Sequence, residues 1–315
     1  MSGAASAGGD ALHSPVLLEE ILEFFAPLPS QWIVDGTLGF GGHSERFLEA
    51  GAHVIGIDQD PEALERATAR LSHYGRFYPV RGNAAEMPSL LAQDPRFPRH
   101  VDAILFDLGT SSWQLNQAER GFSFQADGPL DMRMNPAAET TAADLVNTLS
   151  EKELAQLLWT YGEERGSRAV ARAVCRRREE RPFERTRDLA EVVSRCVRRS
   201  GKIHPATRTF QALRIAVNRE LEVLPEMLGH AVTLLEPGGK LAVISFHSLE
   251  DRIVKQFLRR HSAPTIDDPT WPEARPNPDY LFRLPGKLVQ PTAAESARNP
   301  RARSAKLRFA IRTNL

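Results

Sequence analysis

Asp35-Gly36-Thr37-Leu38-Gly39-Phe40-Gly41-Gly42-His43-Ser44 follows directly on the apolar run Trp32-Ile33-Val34. Glycine reaches positive φ and allows close backbone approach at little steric penalty, so such a turn can wrap a ligand at the end of a strand. Glu45 to Ala50 then reads as a helix that Gly51 ends, and His53-Val54-Ile55-Gly56-Ile57 reads as a second strand closing on Asp58. Strand, glycine turn, helix, strand and acid form the pattern of a nucleoside-binding βαβ unit. The second acid is placed to accept hydrogen bonds from ribose hydroxyls.

A dinucleotide fingerprint built on Gly39 and Gly41 needs a third glycine at position 44, where the chain has Ser44. That glycine normally permits close packing of helix on strand, so a pyrophosphate ligand is disfavoured. Asp35 instead ends the first strand ahead of the glycines. A carboxylate there suits a cationic, amine-bearing ligand, and S-adenosylmethionine carries both a sulfonium and an α-amino group.

At 315 residues the chain suits one large or two ordinary domains with an ample core. Cys175 and Cys196 form neither a metal-type cluster nor a disulfide framework, and no metal is expected. No apolar run has the length of a membrane span, so no membrane partner is expected. Residues 1–12 read as a disordered Ala/Gly/Ser-rich leader without a signal-peptide pattern, which points to the reduced cytoplasm. Net charge is zero, yet fourteen cations face five acids between Arg165 and Arg208, and six more cations without an acid lie between Arg298 and Arg312. Such clusters are the electrostatic footprint of a phosphate-backbone partner; the competing reading is a set of solvated helix faces.

Asp60-Pro61 reads as a cap with proline in the first helical position, opening a helix to about Leu71. Phe77 to Val80 is a third strand and Val101 to Phe106 a fourth, ending in Asp107-Leu108-Gly109-Thr110-Ser111-Ser112. Only helical periodicity follows over 140–235, as at Leu154, Leu157, Leu158 and Tyr161. After Pro237-Gly238-Gly239 a strand returns at Lys240 to Phe246, with another at Leu307 to Ile311. The expected fold is a parallel α/β sheet with a helical insertion between its fourth and fifth strands, roofing the carboxyl end where ligands bind. Seven prolines over 263–291 suggest an extended surface loop anchored by Trp271, Tyr280 and Phe282. Ser248-Leu249-Glu250-Asp251 fits a capping box with Ser248 as the cap.

Asp107, Ser111 and Ser112 are the candidate catalytic residues. A carboxylate, carbonyls and hydroxyls at a strand tip are the acceptors that methylation of an exocyclic amine requires, because the amine lone pair is delocalised into the ring. Turn or capping duty is the competing role for the two serines.

The whole chain from about residue 13 resembles the bacterial ribosomal RNA small-subunit methyltransferase H (MraW) family. The matching stretches are His13 to Leu18, Asp35-Gly36-Thr37 with Gly41 to Ser44, Asp107-Leu108-Gly109 with Ser111-Ser112, and Glu119 to Phe124. Asp127 to Met134, Tyr161 to Arg165, His204 to Ala212, Ile244 to Arg252 and Asn299 to Ser304 complete the set. The resemblance implies a Rossmann-like class I S-adenosylmethionine-dependent methyltransferase sheet with an inserted all-helical domain. It divides the chain into a methyltransferase domain, 13–115 with 212–315, and a substrate-binding insert, 116–211. It implies transfer of a methyl group to N4 of a cytidine at the decoding centre of 16S rRNA in the small ribosomal subunit.

By the same resemblance Gly41, Gly42, His43, Asp58, Ala84, Asp107 and Gln114 contact the cofactor. Ala84 replaces a larger, often aromatic residue, and Trp113 stands where proline is common. Arg133, His204, Arg208 and His247 are substrate candidates, and Phe122 or Phe124 could stack a flipped base. The rival functions are a non-catalytic RNA-binding ribosome assembly factor, a DNA N4-cytosine methyltransferase and, from another class, a nicotinamide-dependent oxidoreductase. The oligomeric state stays open, a homodimer included.

Overall fold

The computed structural model describes residues 15–197, 204–267, 270 and 272–314. The expected leader, His13 and Ser14 of the first matching stretch, and Trp271 lie outside them. The strands are β1 Trp32–Asp35, β2 His53–Asp58, β3 Phe77–Arg81, β4 Val101–Asp107, β5 Leu235–Ser245, β6 Thr265–Ile266, β7 Arg275–Pro276, β8 Phe282–Arg283 and β9 Lys306–Arg312. The helices of the first half are α1 Leu18–Phe25, α2 Gly42–Glu49, α3 Pro61–Leu71, α4 Met87–Ala92, α5 Ser112–Asn116 and α6 Ala142–Thr148. Those that follow are α7 Glu151–Gly162, α8 Ser167–Glu180, α9 Thr186–Cys196, α10 Thr207–Asn218, α11 Glu220–Leu234, α12 Ser248–Ser262 and α13 Ala293–Arg298.

Seven strands form one sheet in the order β3-β2-β1-β4-β5-β9-β8, and β6 pairs with β7 in a separate hairpin. β1 to β5 run parallel, while β9 runs antiparallel to both β5 and β8. This is a Rossmann-like, doubly wound α/β sheet. The parallel strands read as unbroken apolar runs because both faces are covered. Alternate residues go to opposite faces: Ile33, Val54, Ala103, Leu105 and Ile244 pack with α1, α2 and α3, while Val34, Ile55, Ile104, Phe106 and Val243 pack with α4, α11 and α12. Among the described residues no helix is long and apolar enough to cross a membrane.

Two expectations are corrected here. The 263–291 segment is not merely a surface loop: β8 adds an edge to the sheet, and Phe282 on it is fully buried in the core. The turn at Pro237-Gly238-Gly239 does not precede β5 but lies inside it as an irregularity, with Gly238 at φ 85° and a register shift between Val101 and Ala103 on β4.

Between β4 and β5 the chain builds a separate core from Phe122, Leu130, Met132, Val146, Leu154, Leu158, Val170, Phe183, Val193 and Phe210. α10 runs unbroken through position 212, and Ala212 and Leu213 still pack into this helical core. Close approach of α7 to α10 depends on Gly162. A Cβ placed there would stand 2.7 Å from the Arg208 carbonyl oxygen and 3.2 Å from the Ala212 Cβ, and main chain cannot yield as a flexible side chain can. Gly162→Ala is therefore expected to destabilise the protein by about 1–3 kcal/mol through overpacking. Gly229→Ala, where nothing lies within 4 Å of the added Cβ in α11, should match or slightly exceed wild type. Urea unfolding midpoints of the two variants check this; equal midpoints would remove the case for a tight α7–α10 crossing.

Candidate active site

The sheet reverses its winding between β1 and β4, and in open α/β sheets the crevice beyond that switch point is where ligands bind. Three acids end the strands around it. Asp35 lies level with Gly56 and Leu105, so Asp58 and Asp107 each stand two residues further out on the flanking strands. An even offset keeps all three on one face of the pleat. Asp35 forms a floor, 2% exposed, between two higher walls. The glycine turn is clamped from both sides: Gly36 N–H donates to the Leu105 carbonyl (2.9 Å) and Leu38 N–H to that of Ile57 (3.0 Å). Gly41 needs its glycine, with φ 73° and a Leu71 methyl 2.5 Å from where a Cβ would stand.

The polar partners satisfy these acids only in part. Ser44 Oγ donates to Asp35 Oδ2 (2.7 Å), while Asp35 Oδ1 is buried with no hydrogen-bond partner. Burial raises the Asp35 carboxyl to about 6 against the Ser44 and Thr37 hydrogen bonds. Asp58 accepts from Gly39 N–H (2.8 Å) and Asp60 N–H (2.9 Å). Burial nevertheless lifts it to about 7, with the charges of Asp60 and Asp35 adding to the rise. Asp107 Oδ1 is again buried without a partner. Burial first, then Asp35 and Glu250, raises that carboxyl to about 8, although a quarter of the side chain still meets the cleft. His43 Nε2 lies 3.0 Å from the Val16 carbonyl, so it carries the proton and Nδ1 is left as an acceptor facing Asp107 Oδ2 at 3.8 Å. Burial lowers His43 to about 4 against the pull of that carbonyl, which keeps the imidazole neutral.

Two unpartnered carboxylate oxygens in a buried crevice demand a cation or a hydrogen-bond donor. The model of the MraW methylase family matches residues 10–313. The chain belongs to that family. It is 50% identical over 308 residues to the ribosomal RNA small subunit methyltransferase H of Caulobacter vibrioides, covering 96% of each chain. It is likewise 50% identical over 316 residues to the protein of that name from Syntrophobacter fumaroxidans, covering 95% of this chain and 96% of that one. The family is one of S-adenosylmethionine-dependent methyltransferases. The crevice fits that cofactor: an amine and a sulfonium are what the orphaned oxygens of Asp35 and Asp107 lack.

The remaining candidates of this MraW methylase fall in different places. Gly41, Gly42 and His43 line the turn, and Gln114 crosses from the β4 side to the tip of β2. Its Nε2 donates to Asp60 Oδ2 (2.8 Å) and its Oε1 accepts from Ser111 N–H (3.0 Å), so the amide braces α5 across the crevice. Ala84 is buried in the core behind Gly36. Ser111 caps α5, accepting from Gln114 N–H; the side chain of Ser112 lies outside what the structure describes. Arg133 is spent locally on Asp131 (2.9 and 2.6 Å) and the Ala138 carbonyl (2.7 Å). His204 is exposed and stacks on Phe124 with centroids 4.5 Å apart, whereas Phe122 is buried in the helical core. Arg208 is exposed and donates one N–H to the Glu163 carbonyl (3.2 Å).

His247 turns inward. It, and not Ser248, caps α12: its Nδ1 accepts from Glu250 N–H, and Glu250 accepts from the N–H groups of Phe246 and His247. The Ser248 hydroxyl is drawn away to Glu163 (2.7 Å). Glu220, His247 and Glu250 bring three ligand-type atoms within 4.8 Å, yet Arg214 already holds Glu220 with Nε and Nη2, each at 2.8 Å, where an ion would sit.

Sequence reasoning missed Arg120 and the wider duty of Asp60. Asp60, 1% exposed, pairs with Arg120 (2.8 Å), whose other nitrogen reaches the Arg133 and Met134 carbonyls. Both residues stand in motifs singled out above, but their pairing across sixty positions leaves no local signal.

These shifts set a pH dependence. A carboxyl raised above its unfolded value of 3.8 keeps its proton in the folded state, so its stabilisation is complete below 3.8 and disappears as pH climbs through the folded value, about 8 for Asp107. The cofactor-free protein should lose stability from pH 5 to pH 8, and Asp107→Asn should flatten that loss. Urea midpoints across the range are the check; parallel profiles for the two proteins would contradict it.

Proposed function

We propose that this MraW methylase methylates small-subunit ribosomal RNA, on N4 of a cytidine at the decoding centre, with S-adenosylmethionine as methyl donor. The curated relatives' shared name supports the RNA substrate and, with it, a cytoplasmic place of work. One observation carries the chemistry: Asp35 and Asp107, at the ends of the paired strands β1 and β4, each keep a buried oxygen without a hydrogen-bond partner. The cofactor, when bound, would supply an electrophilic methyl group on a cationic sulfur and, as the methyl carbon–sulfur bond breaks, would keep that electron pair and leave as a neutral thioether. Asp58 would hold its ribose, Asp35 its amine, and Gly41, Gly42 and His43 its carboxylate end, with Ala84 and Gln114 toward the base.

Asp107 does the remaining work on the substrate. Its carboxylate and the carbonyls of the Gly109–Ser111 turn accept the N–H groups of the exocyclic amine, orienting the nitrogen lone pair toward the methyl. As the N–CH₃ bond forms, the nitrogen becomes positive and one proton passes to Asp107. An acceptor whose free-protein value lies near neutrality suits that task. His43, neutral and fixed by the Val16 carbonyl, offers Nδ1 to the protonated acid. The insert, 116–211, is the RNA-binding part in this reading, with His204 and Arg208 toward the substrate.

Methyl-labelled S-adenosylmethionine and small ribosomal subunits lacking their native methylations are expected to give N4-methylcytidine, identified by mass spectrometry of the nucleosides. Asp107→Asn should lower kcat by about 10²- to 10⁴-fold while RNA binding persists. Label on another nucleoside would discard the N4 assignment, and bound RNA without label would favour an assembly factor.

A further inference from the structure

Trp159 of α7 is 56% exposed. Leu154, Leu158 and Gly162 make the buried stripe of that helix, and Trp159 stands off it. Its ring has no hydrogen bond, aromatic contact or cation–π partner among the described residues. A single exposed apolar side chain is ordinary. The surroundings of this one are not.

One turn further along, about 5.4 Å of rise, α7 ends on Glu163 in a left-handed cap, φ 48°. The Glu163 carbonyl accepts from Arg208 Nη1 (3.2 Å), and its carboxylate accepts from Arg252 Nη2 (3.1 Å) and Ser248 Oγ (2.7 Å). One residue thus tethers two exposed guanidinium groups, Arg208 from the helical core and Arg252 from α12, which begins just beyond the tip of β5. Arg165 adds a third exposed cation, with no ion pair among the described residues. Glu163 and the buried Glu164 set two carboxylates against three guanidinium groups, so the end of α7 carries net positive charge, one helical turn from an uncovered indole.

Some arginines on and around α8 and α9 are spent differently. Arg177 and Arg181 meet Asp188, Arg185 meets Asp127, and Arg172 meets Glu151. Arg168, Arg176 and Arg187 stay exposed on α8 and α9 with no ion pair among the described residues, so the cations near the end of α7 belong to a wider basic surface on which Trp159 is the exposed aromatic ring.

We propose that Trp159 is a stacking platform for an unpaired base of single-stranded RNA, with Arg208 and Arg252 holding the flanking phosphates. This rests on the RNA substrate proposed above. Any base offers a π-face to an indole, and guanidinium groups bind phosphate oxygens with paired N–H donors, so the patch grips a strand without reading its sequence. Because α12 starts at the tip of β5, beside β4 and Asp107, the platform stands at the approach to the crevice. The base it holds is a neighbour of the target and not the target itself.

The test measures binding of a fluorescein-labelled single-stranded RNA by anisotropy, and intrinsic tryptophan fluorescence with unlabelled RNA. Trp159→Ala should weaken binding about 5- to 140-fold, the range for loss of one stacked base. Trp159→Phe should retain most of the affinity but lose the tryptophan quench that RNA produces in wild type. Arg208→Ala should lower the slope of log affinity against log salt by about one. Unchanged affinity in Trp159→Ala with an undiminished quench in Trp159→Phe overturns the proposal. So does weakened binding to intact small subunits with unchanged binding to protein-free RNA, which would assign the patch to a ribosomal protein. RNA held through Trp159 by a wild-type protein that transfers no methyl group would support the platform and refute the N4 reaction.

Discussion

Parallel strands that end together force their last side chains into one crevice, and here those side chains are acids. Asp35, Asp58 and Asp107 would repel one another and resist burial in any arrangement without compensating donors. The glycine turn supplies part of that compensation, through Gly39 N–H to Asp58, and Ser44 supplies another part to Asp35. What it leaves is specific: one unpaired oxygen on Asp35 and one on Asp107. The protons retained on the acids are the cofactor-free substitute for a cation.

The second constraint is the attachment of the helical core to the sheet. The Arg214–Glu220 pair joins the end of α10 to the start of α11, and Asn218 accepts from Met134 N–H while donating to the Met132 carbonyl. Arg120 ties the first loop of the insertion to Asp60 at the tip of β2, and Glu163 ties the end of α7 to the start of α12. Each joint uses a charged or amide side chain at low exposure, or a cluster of hydrogen bonds, and apolar packing is concentrated within each core. Such joints have directional geometry, so they hold the basic helical surface at a set angle to the crevice.

Much of this was legible from local signals. Apolar strands ending in acids, the glycine turn and the Asp60-Pro61 helix start are patterns over fewer than ten residues, and the structure places each near where the spacing puts it. The failures have a common physical form. Ser248 reads as a cap because Ser followed three residues later by the acid Asp251 looks like one, but Glu163, 85 positions away, competes for its hydroxyl and the cap moves to His247. Phe282 reads as a loop anchor because prolines surround it, yet the open edge of β9 recruits it as a strand. Gln114 bonds to Asp60 across 54 positions and Arg133 closes on its own loop. No periodicity reports such partners.

Charge shows most plainly why composition and field differ. Fourteen cations against five acids between Arg165 and Arg208 suggest a uniformly basic face. Folding redistributes that excess, because acids from outside the stretch, Asp127 and Glu151, come to meet Arg185 and Arg172. Exposed pairs of this kind add little stability, but they lower the local potential at each site within a Debye length. Arg208 lies at the far end of the same stretch and spends only one N–H, on a neutral carbonyl that leaves its charge intact. The field that steers a polyanion therefore depends less on where arginines are frequent than on where the fold leaves them without an acid.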